Sequence, residues 1–156
     1  MENFSEAIIS IRPNFAEAIL SGVKSIELRR RIPYIGVSTR LWIYATRPVG
    51  AVVGSATVKR IIRGSPEEVW AESKSRAAID RHAYNTYFDG AQEAVGLVLA
   101  NVRRGNAISI EMLRSVRPGF HPPQVIAKIS GTEAKLICKL SMSSSKLTKR
   151  SDKKRM

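Results

Sequence analysis

Cysteine is almost missing from this chain. Cys138 is the single thiol, so no intrachain disulfide can form and no cysteine-built zinc site is available. Within Leu136-Ile137-Cys138 it reads as a small buried apolar residue. Histidine is nearly as scarce. His82 and His121 stand far apart, and neither has a carboxylate or thiolate at ligand spacing, so neither a metal nor a cofactor is expected. No apolar run approaches the roughly 20 residues that cross a bilayer, and the N-terminus lacks the apolar stretch of a signal peptide. A chain without a membrane span, in the cytoplasm, is the expectation. Acid is in short supply: 26 Lys and Arg face 13 Asp and Glu, a net charge of +13.

The basic excess is uneven. Residues 139–156 hold seven Lys/Arg and one acid, while the 138 residues before them hold 19 and 12. The body is therefore basic without its tail, which favours a polyanionic partner, nucleic acid first. An apolar share of 44% is ordinary for a globular chain, and 156 residues suffice for one domain with one sizeable core. Beyond Ser141 the Ser/Lys/Arg-rich sequence has no periodic apolar face. The division is thus a folded domain over 1–140 and a disordered basic tail over 141–156.

Ala7 to Ile11 reads as a short buried strand. Pro13 suits a first helical turn, Phe15, Ala16, Ile19 and Leu20 share one helical face, and Gly22 ends the helix. Ser25 to Arg30 reads as a strand, as does Arg40 to Ala45, where Leu41, Ile43 and Ala45 alternate with Trp42 and Tyr44. Ala51 to Ile62 is a long β-branched run with a bend expected at Gly54. Ser65-Pro66-Glu67-Glu68 has the form of a capping box. A helix over Ala78 to Phe88, a central strand over Ala94 to Val102, a short helix within Ser109 to Val116 and a closing strand over Val125 to Ile129 complete the reading. Strands separated by short helices, one of them long and bent, make an α+β chain: a small mixed β-barrel with short covering helices.

Gly22-Val23-Lys24-Ser25-Ile26-Glu27-Leu28-Arg29 concentrates the chemistry. Strand alternation puts Glu27 and Arg29 side by side, opposite Ile26 and Leu28, with Lys24 at the turn able to reach either face. Two cations and an anion so close can hold a phosphate or a polar base edge; the same spacing also describes a solvated strand face carrying an ion pair. Arg29-Arg30-Arg31 follows, and alternation lets only Arg29 and Arg31 join one patch, as phosphate contacts that read no sequence. Lys59-Arg60, Arg63 and Arg103-Arg104 are candidates to extend a basic surface. Tyr44 is a candidate stacking surface for a base, or else packing beneath a helix. Gln124, in the rigid Gly119-Phe120-His121-Pro122-Pro123-Gln124 loop, can offer an amide.

Gly-x-Lys-x-x-Glu-x-Arg after a strand and a short helix resembles the signature of the ASCH domain family, a branch of the PUA-like β-barrels. The likeness extends through Ile8 to Ser21, Leu41 to Ala45, Ala51 to Ile62, Ala94 to Arg104 and Gly119 to Gln124. It implies a PUA-like barrel that binds RNA or a nucleotide, DNA being a further option, in a cleft lined by Lys24, Glu27, Arg29, Arg31, Arg12, Tyr44 and Gln124. One branch of the family deacylates a modified cytosine nucleoside with a lysine and a threonine three residues later. Here that threonine position is Glu27, which has no hydroxyl to attack with, and this argues against an amidohydrolase. Another branch resembles a ribonuclease, in which Lys24, Glu27 and Arg29 would be acid, base and phosphate clamp. A regulatory module contacting DNA or protein through its tail is the remaining alternative. No feature of the sequence bears on oligomeric state.

Overall fold

In the computed structural model, which describes residues 5–142, the chain opens with β1 (Glu6–Ile11), α1 (Pro13–Leu20) and β2 (Ile26–Arg29). β3 (Arg40–Ala45) and the 14-residue β4 (Ala51–Gly64) follow, then α2 (Pro66–Ser73) and α3 (Arg81–Tyr87). The 16-residue β5 (Ala94–Ser109), α4 (Ile110–Val116) and β6 (Ile126–Ile129) come next. A last helix, α5, covers 131–142. The six strands form one mixed sheet in the order β2-β5-β4-β3-β1-β6, with β1 and β3 parallel and the other pairs antiparallel.

Local chemistry sets the helix ends. Pro13 occupies the first turn of α1, and Gly22, at φ 88°, turns the chain out of the helix in a conformation that favours glycine. Ser65 and Glu68 cap α2 reciprocally, while the Asp80 carboxylate accepts from the Ala83 N–H to start α3.

Three apolar clusters follow from strand alternation. One face of the sheet gathers Ile9, Ile11, Leu41, Ile43, Val58 and Leu97 with Ala16 and Ile19 of α1, which makes it the barrel interior with α1 packed over it. On the outer face, Ile26, Leu28, Ile62 and Val98 lie under α2 and α3. Ile8, Trp42, Tyr44 and Ile108 lie under α4 and α5, against Leu113 and Ile137. The long strands bend where their register shifts, between Val52 and Gly54 among other places. At Gly54 a Cβ would stand 2.4 Å from the Arg103 carbonyl oxygen and 2.7 Å from Leu20 Cδ2, so only glycine admits this approach.

The sheet rolls up without a ladder at its seam. β2 and β6 are its two edges, yet the Arg29 guanidinium of β2 donates to the Ser10 carbonyl of β1 at 2.7 Å. Ser10 in turn donates from its hydroxyl to the Pro123 carbonyl and from its N–H to the Val125 carbonyl. A side chain and the 121–125 loop close the barrel where backbone pairing stops.

Several expectations need correction. β2 begins at Ile26, so Lys24 precedes the strand and its direction is not set by alternation. β5 is one strand in from the β2 edge rather than central, and it runs on past Val102 to Ser109. α3 starts three residues later than Ala78. The expected boundary at 140/141 falls within α5, and 143–156 lie outside the described residues. Cys138 is only partly buried. Arg60 and Arg104 pair with Glu72 and Glu17, and so do not add to a common basic surface.

Candidate functional site

A cavity of about 360 Å³ opens at the barrel seam, between the start of α1, the motif and the 121–125 loop. Arg12, Phe15, Lys24, Glu27, Arg29 and Gln124 line it. Five of the seven residues expected at the site therefore meet in one place. Arg31 lies outside it, in an adjoining and wider cavity. Tyr44 is in neither. It is 2% exposed and packed with Ile8 and Trp42 beneath α4 and α5. The face opposite Leu41 and Ile43 is covered by helices instead of opening to the cleft, so the stacking surface expected of Tyr44 does not exist.

Glu27 sits opposite Leu97 on the inward face of β2 and is 6% exposed. An unpaired carboxylate there would be costly, and two cations meet this one. Arg29 supplies a forked contact to Oε2, with Nε at 2.9 Å and Nη2 at 2.8 Å. Oε1 lies 3.7 Å from Lys24 Nζ and accepts no closer donor among the described residues. One oxygen of the carboxylate is thus fully engaged and the other is only loosely held.

Lys24 is 3% exposed and its position is over-determined. Its N–H reaches the Ala18 carbonyl, and the next two N–H groups both bond the Arg76 carbonyl of the α2–α3 connection. Nζ donates to the Ala77 carbonyl and stands 4.7 Å from the centre of the Phe15 ring. Ala78, beside it, holds φ 54°, a left-handed conformation that an alanine adopts only at a cost. Burial holds the Lys24 amine below the usual lysine pKa; Glu27 opposes this shift and Arg29 adds to it.

Phe15, Ala77 and Tyr87 are the contributors that the sequence did not single out. Phe15 carried a helical-face signal alone. Ala77 acts through its carbonyl, which no side-chain pattern reports, and Tyr87 lies in a helix with no distinguishing spacing. Among the described residues no group of three or more His, Cys, Asp and Glu side chains is placed to hold a metal, and no helix is long and apolar enough to cross a membrane.

The ASCH domain family model matches residues 9–107, and the chain belongs to that family. It is 37% identical over 135 residues to a Zymomonas mobilis protein named an ASCH domain-containing ribonuclease, a match that spans 86% of this chain and 91% of the relative. The crystal structure of ASCH from Zymomonas mobilis superposes with a TM-score of 0.86 at 36% identity, covering 90% of this chain and 97% of that one. A Pseudomonas putida protein, 14% identical with a TM-score of 0.54 over 88% of this chain and 100% of its own, shares the fold.

Proposed function

We propose that this chain binds RNA in the seam cavity and cleaves it there without a metal ion. The observation that carries the reading is the buried lysine and glutamate at the cavity floor, one loosely held carboxylate oxygen beside an amine whose pKa is lowered. The relative named as a ribonuclease, aligned over most of both chains, supports the same reading.

Glu27 Oε1 takes the proton of a ribose 2′-hydroxyl as its oxygen attacks the adjacent phosphorus. Arg29 faces a non-bridging phosphate oxygen, where negative charge builds. The bond from phosphorus to the 5′-oxygen breaks, and the Lys24 ammonium gives that oxygen a proton; its lowered pKa makes it the readier donor. The products are a 2′,3′-cyclic phosphate and a 5′-hydroxyl. Proton return from Glu27 to Lys24 across the 3.7 Å between them restores the starting state. DNA, lacking the 2′-hydroxyl, is bound but not cut.

The test is incubation of labelled single-stranded RNA with wild type, Lys24→Ala and Glu27→Gln in the presence of EDTA. Wild type is expected to give cyclic-phosphate ends, and each variant to lose roughly 10²- to 10⁴-fold in rate. Cleavage that persists in both variants overturns the assignment. The near-complete burial of Lys24 and Glu27 favours a second reading, recognition without turnover. It is the one to adopt if wild type binds RNA, leaves it intact and loses affinity on either change.

A further inference from the structure

The wider cavity beside the seam has no part in that chemistry. It measures about 710 Å³ and shares Arg29, Tyr87 and Gln124 with the seam cavity. The two are therefore one trench with a deep end and a broad end. Arg30, Arg31 and Glu93 also line the broad end, so with Arg29 three arginines and one acid line it.

Tyr87 stands where the two ends meet. Its ring is held edge-on against Phe88 at 4.7 Å and 78°. Phe88 is itself buried in the cluster beneath α2 and α3. The Tyr87 residue is nonetheless 40% exposed. Arg30 fixes its backbone by donating to the Tyr87 carbonyl at 2.9 Å and the Asp89 carbonyl at 3.1 Å. Tyr87 is thus an exposed aromatic with a fixed base, and the neighbouring Arg31 is exposed with no ion-pair partner among the described residues. An aromatic face beside a spare guanidinium is the pairing that single-stranded nucleic acid uses, one base stacked and one phosphate neutralised.

Resting on the RNA reading of the seam, we propose that the broad end is a subsite for the nucleotide adjoining the one at the floor. Tyr87 stacks its base and Arg31 contacts its phosphate. The substrate is then single-stranded RNA of at least two nucleotides, since a paired base cannot turn onto Tyr87.

A ladder of 2′-O-methyl oligoadenylates, one to six nucleotides long, separates binding from cleavage. Wild type is expected to gain affinity from one nucleotide to two or three. Tyr87→Ala removes roughly tenfold to hundredfold of that gain, while Tyr87→Phe retains it. Arg31→Ala lowers the log–log salt slope of the longer oligomers by about 0.7. A gain that survives Tyr87→Ala overturns the subsite. A mononucleotide that binds with no gain on lengthening overturns the subsite alone. A ladder that does not bind at all overturns the RNA reading with it.

Discussion

Glu27 shows how far one residue reaches in this molecule. It is the counter-charge for both Arg29 and Lys24, so Glu27→Gln leaves a buried and a partly buried cation facing each other across a neutral amide. The expected loss is on the order of 3 kcal/mol, read as a lower denaturation midpoint with an unchanged denaturant slope. A loss within error would mean that water already screens the pair. The sequence placed Glu27 and Arg29 correctly, because strand alternation is a strong rule once Ile26 and Leu28 define the core face. It did not place Tyr44 or Lys24. Alternation orders Tyr44 onto a face but cannot say that α4 and α5 cover that face. Lys24 takes its direction from Ala77, more than fifty residues away in sequence.

Among the elements, α5 is tied to its neighbour through one acid. Glu133 accepts from Arg117 at 2.7 and 2.8 Å and from the Ser130 N–H at 2.9 Å, joining the end of α4 to the start of α5. Arg117 above all, with the Ser130 backbone, lowers its pKa from 4.5 to about 2. A depressed carboxylate pKa adds stability above its unfolded value and gives it up as pH falls through the folded one, so the window runs from pH 4.5 down to about 2. The Arg117 side chain is 42% exposed, and solvent screening cuts the gain to about 1 kcal/mol. Acid titration of wild type and Glu133→Gln should diverge above that window and converge below it. Equal acid sensitivity would show that the pair contributes nothing. α5 carried a legible start, Ser130 with Glu133, and buried Ala134 and Ile137 at helical spacing. The adjoining basic stretch obscured it, since its low hydrophobicity reads as a tail and hides the helix over 131–142.

At the scale of the whole molecule, charge makes the argument. Residues 143–156 hold six Lys/Arg and one Asp; their removal should lower the log–log salt slope of RNA binding by up to about 4 and leave the cleavage rate at saturating RNA unchanged. An unaltered slope would assign all phosphate contacts to residues 1–142. The fold class and most element boundaries were legible, because apolar periodicity and caps are local. The seam was not. It joins β2 to β1 through a side chain, and nothing in the hydrophobic pattern distinguishes strands that pair from strands that merely come close.

That seam bears on how such a chain can diverge over evolutionary time. Arg29 anchors a carboxylate and fastens the first rolled edge to β1 with the same guanidinium. A descendant that abandoned the chemistry would still need something to hold the barrel shut, so selection for architecture alone would preserve the arginine, and through it the glutamate. The motif is thus a fastening as well as a charge cluster, and a change of specificity would disturb the fold less at rim positions such as Arg12, Tyr87 and Gln124 than at the fastening itself.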